Sequence, residues 1–218
     1  QELVDQMRRV AASCFTRLPD YQCLRGARDA LDDKVITVAY RADGALGGFC
    51  SAILLDVPGM KPVLHLGLTC VHVDDRGCGL THQLTSRLVM GYLLRRGLIG
   101  RVWISNVACV LSSVGNVAIN FDEVYPSPFR RRPPSRVHRK VAETIDRRYR
   151  EDIYINRDAV LDTTAFVFRG SVRGTVFEKS AEDERFHHRD ERINEWYREL
   201  LRLEEGDEVV QVGHYSLL

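Results

Sequence analysis

Val4, Met7, Ala11, Cys14, Phe15 and Leu18 recur at helical spacing, which predicts an amphipathic helix from about Glu2 to Leu18. Arg25 to Leu31 suits a second short helix. From Val35 the period becomes that of strands. Val35 to Tyr40 is β-branched and apolar, Arg41 to Gly44 carries an Asp-Gly turn, and Leu46 to Leu55 is apolar again, so the segment predicts a hairpin. Pro58-Gly59 turns the chain into a long apolar strand from Val63 to Val73. A glycine-rich turn follows, then a strong helix in which Leu80, Leu84, Leu88 and Tyr92 stand four apart, with Gly97 as its stop. Arg101 to Ser105 opens another strand, and Ser112 to Val124 has a weak helical pattern ended by Pro126 and Pro128. Thr164 to Phe168 and Val209 to Leu217 read as the last strands. Between them Ile193, Trp196, Tyr197, Leu200 and Leu203 mark one more amphipathic helix.

The segment 127–162 breaks this rhythm. It holds Pro128, Pro133 and Pro134 and then an arginine-rich stretch, the composition of an insertion or a mobile arm. Between Arg130 and Arg150 nine basic residues face only Glu143 and Asp146, whereas Ala181 to Glu208 carries eleven acids against five arginines. The net charge of +1 therefore hides two segregated blocks, which can attract an acidic ligand or pair with each other. Only Phe129 and Tyr149 accompany the basic run as stacking residues, so a solvated arm is favoured over a nucleic-acid platform.

With 218 residues the chain can bury a sizeable core, and the expectation is a single domain, 1–218. No apolar run approaches the ~20 residues of a membrane helix, and no signal segment opens the chain, so a cytoplasmic protein without a membrane partner is expected. None of the six cysteines forms a C-x-x-C pair or stands at zinc-ligand spacing, so neither a metal site nor a disulfide framework is expected. His187-His188 reads as a solvated surface pair on one helix.

Chemistry concentrates in Asp74-Asp75-Arg76-Gly77-Cys78-Gly79-Leu80-Thr81, between a strand and a helix. Such a turn exposes backbone N–H groups at a helix start, where they and the helix dipole bind an anion, typically a phosphate. Glycine lets the phosphate oxygens approach. The P-loop and dinucleotide signatures are absent. What is present, Arg76-Gly77-Cys78-Gly79-Leu80-Thr81 after Val71-His72-Val73, resembles the pyrophosphate loop of the GNAT N-acetyltransferase superfamily, [RQ]-x-x-G-x-[GA]. Arg76 and Gly79 match, and Thr81 stands where that family has Gly or Ala. The resemblance extends over the element order from about Val35 to Tyr125.

The resemblance implies an α/β fold with a mixed, mostly antiparallel central sheet flanked by helices, the arginine-rich insertion preceding the last strands. It implies that the strand ending near Val73 and the strand opening at Arg101 splay apart around acetyl-CoA, the co-substrate. Pantetheine would pair with backbone near Val71 and Val73. The pyrophosphate would lie on the amides from Gly77 through Cys78, Gly79 and Leu80 to Thr81, with Arg76 opening the loop. Asn106 resembles a pantetheine-contacting position, or else caps the next element. The amine acceptor, of a small molecule or peptide, would attack the thioester directly once a base has taken its proton. His65, eleven positions before Arg76, falls where the histone acetyltransferase branch has its basic Glu, on the strand face of Val71 and Val73. Tyr125, at the end of the helix after the Arg101 strand, would return a proton to the CoA thiolate. Two alternatives stand beside an enzyme: a non-catalytic acyl-CoA-binding module, and a nucleic-acid-binding protein using the 130–150 arm. A homodimer stays open.

Overall fold

In a computed structural model, residues 1–26, 31–96 and 100–216 are described. They form two compact units, one of residues 1–54 and 65–99, the other of 55–64 and 100–218. The secondary structure is mixed α and β, with strand pairing mostly antiparallel and helices against the strands, as the sequence leads one to expect.

The first unit opens with α1 (Glu2–Cys14), which buries Val4, Met7, Val10 and Ala11 along one stripe. It stops four residues short of the expected end: Phe15 is extended, and Leu18, held out of the helical region by Pro19, is 38% exposed. A single 3-10 turn, Gln22–Leu24, follows. The short helix expected over Arg25 to Leu31 falls mostly outside the described residues. Strands β1 (Lys34–Tyr40) and β2 (Leu46–Leu55) pair antiparallel from Lys34↔Ile53 to Tyr40↔Leu46 around the predicted turn. Next to β2 runs β3 (Val63–Val71). Helix α2 (Leu80–Arg96) buries Leu84, Leu88, Val89, Tyr92 and Leu93. It lies so near β2 that a Cβ on Gly48 would stand 3.1 Å from Leu84 and 3.0 Å from the Cys70 carbonyl, a tight fit that favours glycine there. The stop expected at Gly97 is outside the described residues.

In the second unit β4 (Arg101–Ala108) leads into α3 (Leu111–Asn120), and the chain then returns as β5 (Asp122–Tyr125). The rest of the unit comprises α4 (Arg136–Arg148), α5 (Arg150–Ile153), β6 (Val160–Asp162), β7 (Val167–Arg169), α6 (Glu191–Leu200) and β8 (Glu208–Ser216). The last strand is the central one. β8 pairs antiparallel with β4 from Arg101↔Ser216 to Ala108↔Val209, and on its other edge with β5 and β7. Paired on both edges and covered by helices, it is buried from Glu208 to His214.

Segment 127–162 is not a solvated arm. Ser135 and His138 close a capping box at the start of α4, whose Val141, Ala142 and Ile145 are at most 3% exposed. Arg150 donates to the carbonyls of Asp146, Asn156, Arg157 and Ala159 and pairs with the Asp146 carboxylate, tying the following loop down. Arg130 pairs with Glu123, and Arg148 with Asp56.

Candidate functional site

The glycine-rich turn lies wholly within the first unit. β3 stops at Val71, where the His72 amide makes its last sheet bond, 2.8 Å to the Gly47 carbonyl. Val73, expected on the strand, instead opens a 3-10 turn over Val73–Asp75 and is 50% exposed. It therefore has no place in a strand-like pairing with pantetheine, whereas Val71 keeps its strand position. The Asp75 amide donates to the His72 carbonyl at 2.9 Å, and the Cys78 thiol donates back to the Asp75 carbonyl at 3.1 Å.

Gly77 at φ +84 and Gly79 at φ +74 bring the chain into α2. A Cβ on either would meet nothing within 4 Å, so backbone conformation rather than crowding calls for glycine. The Gly79 carbonyl accepts from the Gln83 amide at 3.2 Å and starts the helical ladder. The amides of Gly77, Cys78, Gly79, Leu80 and Thr81 have no acceptor within the chain among the described residues, as the first turn of a helix requires. These donors, at the positive end of a 17-residue helix, can hold an anionic oxygen group. Thr81 is exposed on that first turn.

Two carboxylates stand just ahead of the donors, and one arginine offsets part of their charge. Arg41, from the β1–β2 turn, contacts the Asp75 carboxylate at 2.7 Å and the Asp74 carboxylate at 3.8 Å, and its guanidinium lies 2.8 Å from His72 Nδ1. The Asp75 hydrogen bond raises the guanidinium's affinity for its proton. Arg41 carries no local sequence signal for this role, since it arrives from a remote segment.

His65 is 1% exposed on β3, and burial pushes its pKa down to about 3. Burial of the imidazole weighs against its taking a proton from an ammonium in this conformation.

The second unit holds the other two candidates. Asn106 lies within β4, opposite Gln211 on β8, and caps nothing. Its Nδ2 donates to Gln211 Oε1 at 3.1 Å; Gln211 Nε2 donates to the Val114 carbonyl and the Tyr197 hydroxyl, and that hydroxyl donates to the Pro126 carbonyl. At 5% exposure Asn106 is part of a core network, and its amide nitrogen is bonded within the unit. Tyr125 sits on β5 and not at a helix end, because α3 closes at Asn120. Its hydroxyl donates to the Thr164 carbonyl at 3.3 Å, its ring packs edge-on to Phe166, and partial burial raises its pKa.

A buried pair that the sequence did not announce lies deeper in this unit. The Ser171 hydroxyl donates to Glu208 at 2.6 Å, and burial lifts that carboxyl to about 7. Among the described residues no group of three His, Cys, Asp or Glu side chains is disposed to hold a metal ion, and no helix is long and apolar enough to cross a membrane. His187 and His188 precede α6 rather than sharing a helix: His187 Nε2 lies 2.9 Å from the Ala181 carbonyl, and His188 Nδ1 accepts from the Asp190 amide.

No protein-family profile matches the chain, and no curated protein sequence matches it. Solved structures do. A ribosomal-protein-alanine N-acetyltransferase from Brucella melitensis biovar Abortus 2308 is 21% identical over 44% of this chain and 68% of its own, with a TM-score of 0.35. An acetyltransferase from Vibrio fischeri is 20% identical over 47% of this chain and 84% of its own, at TM-score 0.32. Nourseothricin acetyltransferase is 25% identical over 34% of this chain and 41% of its own, at TM-score 0.27. Each of these three likenesses covers less than half of the chain.

Proposed function

We propose that the chain is an acyl-CoA-dependent N-acyltransferase of the GNAT type, with acetyl-CoA as co-substrate and an amine as acceptor. The observation that carries the reading is the β3–α2 turn: two glycines at positive φ present five consecutive amides at a helix start. That arrangement suits a diphosphate, with Arg76 beside it and Arg41 holding off the charge of Asp74 and Asp75. Val71, the last residue of β3, is the strand position left for main-chain contact with the pantetheine arm.

In this reading the acceptor nitrogen attacks the thioester carbonyl, the C–S bond breaks, and the sulfur leaves as thiolate. Tyr125 remains the proposed proton donor, at the cost of releasing its bond to the Thr164 carbonyl. No side chain is assigned as base: an amine arriving in its neutral form attacks without one, and the proton its nitrogen sheds on becoming an amide passes to solvent, from which the Tyr125 hydroxyl is restored.

The burial of His65 and the commitment of Asn106 to the core favour a second reading, an acyl-CoA-binding module without catalysis. A nucleic-acid role for the 130–150 segment is disfavoured, because α4 buries one face and Arg130, Arg148 and Arg150 are paired. Incubation of the chain with radiolabelled acetyl-CoA and a panel of polyamines, aminoglycosides, amino acids and peptides separates the readings. Label in an amine supports the enzyme. Binding without transfer supports the module, and neither binding nor transfer overturns both.

A further inference from the structure

Among the described residues no ion pair joins the basic block of the second unit to its acidic block. In the acidic block Asp183 pairs with Arg185, Asp190 with Arg192, Glu191 with Arg198, Glu205 with Arg173 and Arg202, and Asp207 with Arg169 and Arg202. In the basic block Arg130 pairs with Glu123, Arg147 with Glu143, Arg148 with Asp56 and Arg150 with Asp146. Arg131, Arg132, Arg136, Arg139 and Lys140 are exposed, and their side chains make no ion pair or hydrogen bond among the described residues. The stretch 131–140 thus holds five open cations and no acid. We propose that this surface docks an acidic peptide segment and, resting on the transferase reading above, that the segment belongs to the acceptor.

Local geometry holds the cations in place. Arg136, Arg139 and Lys140 stand at i, i+3 and i+4 on α4, opposite the stripe of His138, Val141, Ala142 and Ile145 that the helix buries. The first turn of α4 carries no acid, so the positive end of the helix and the two arginines reinforce one another. Like charges gathered in this way cost the fold stability, and carboxylates from outside offset that cost. Arg131 and Arg132 precede the helix on a loop fixed at its root. The Glu123 carbonyl accepts from Arg130 Nη1 at 3.3 Å and from His138 Nε2 at 2.8 Å, and the Pro133 carbonyl accepts from Arg130 Nη2 at 3.5 Å. A surface already ordered in this way loses little entropy on binding.

The occupant follows from the size and chemistry of the surface. Guanidinium groups take carboxylates in bidentate fashion, and arginine clusters are a general means of reading acidic motifs. Arg136 to Lys140 rise only ~6 Å along the helix, and Glu143 interrupts the cations beyond them, so the patch matches a few adjacent carboxylates better than a long run of phosphates. Phe129, two residues before Arg131 and 61% exposed, offers an apolar contact to a side chain next to the acids, but one ring makes no stacking platform for bases. The helix start also adjoins the proposed proton donor: the rings of His138 and Tyr125 lie edge-on with centroids 6.2 Å apart. Acids on an acceptor chain would therefore hold that chain close to Tyr125.

The first test reads binding without acetyl-CoA, so it stands apart from the proposed activity. Fluorescence anisotropy of the full chain with a labelled peptide of glutamates and aspartates around one leucine should show saturable binding. That binding should weaken about tenfold or more as salt rises from ~0.05 to ~0.5 M, and the matching peptide of glutamines and asparagines should not bind. Arg136→Glu with Arg139→Glu should weaken the acidic peptide roughly tenfold, and Arg131→Gln with Arg132→Gln, outside the helix, should act in the same direction. Arg157→Glu with Arg189→Glu makes the same change in net charge at two other exposed arginines and should leave binding near that of the parent. Circular dichroism checks that each variant folds. With acetyl-CoA present, a lysine peptide with acidic flanks should show a lower KM than its neutral counterpart at similar kcat, and Arg136→Glu with Arg139→Glu should erase the difference. Equal weakening by the two glutamate pairs, equal binding of the neutral peptide, or tighter binding of a single-stranded oligonucleotide of equal charge would overturn the proposal. Peptide docking without transfer to any amine would instead refute the transferase reading and leave the docking surface standing.

Discussion

Replacing Gly79 by alanine separates the cost to the fold from the cost to the ligand. The residue sits at φ +74 with nothing within 4 Å of an added Cβ, so the fold loses only the left-handed strain of a non-glycine residue, about 1–2 kcal/mol. For a chain of 218 residues this corresponds to a fall in Tm of roughly 2–8 °C. If the amides of residues 77–81 hold the diphosphate, the added methyl group competes with its oxygens for that space. Loss of one charge-assisted amide–phosphate bond costs about 1.5–3 kcal/mol, or roughly 10- to 150-fold in affinity. Gly44 provides the control. It lies in the β1–β2 turn of the same unit at φ +83, also with nothing within 4 Å of a Cβ. Gly44→Ala should therefore lower Tm as Gly79→Ala does while leaving acetyl-CoA affinity unchanged. Calorimetric titration with acetyl-CoA and thermal unfolding of both variants decide the matter. If folded Gly79→Ala binds as tightly as the parent, or if Gly44→Ala loses as much affinity, the amides of the turn are not the diphosphate cradle.

Three further outcomes concern the fold around the site. Glu208 is raised to about 7 in the folded chain, so the folded state holds a proton that the unfolded state releases between about 4.5 and 7, and stability falls as pH rises through that window. Glu208→Gln should match the parent near pH 5 and exceed it by a few kcal/mol at pH 8 in urea unfolding; equal slopes would refute a buried, neutral carboxyl. His65 is lowered to about 3, so the unfolded state binds the extra proton and stability falls as pH drops from about 6.5 towards 3. His65→Gln should flatten that acid limb, and an unchanged limb would show that the imidazole is charged or exposed. At Gly206, φ +74, a Cβ would come within 2.4 Å of the Arg173 amide nitrogen, so Gly206→Ala should cost about 3–5 kcal/mol against about 1–2 for Gly174→Ala, which has open space; similar Tm values for the two would contradict the packing.

What was legible in the sequence was local. The stripe of α1, the β1–β2 hairpin and the four-residue spacing of α2 are written in consecutive residues, as is the glycine pair of the turn. β5 and β6, at four and three residues, are too short to show a period and are held by β8 and β7. The stripe of α4, namely His138, Val141, Ala142 and Ile145, does have helical spacing, but the surrounding arginines and the prolines before it suggested a solvated arm. At the candidate site the sequence could not show burial or remote partners. His65 has the right spacing from Arg76 yet lies inside the core, and Asn106 is claimed by Gln211, 105 residues away. The charge balance of the turn depends on Arg41, 34 residues before Asp75, and no motif connects them.

The central claim is that the turn from Arg76 to Thr81 holds the diphosphate of an acyl-CoA. Its most direct test is calorimetric titration of the full chain and of Gly79→Glu with acetyl-CoA under identical salt. The carboxylate of the variant would occupy and repel the diphosphate position, and with φ +74 and open space around the added side chain the fold should survive, as circular dichroism can verify. The account predicts saturable binding by the parent and none measurable by the folded variant. Equal affinity in both, or no binding by the parent at all, would contradict it.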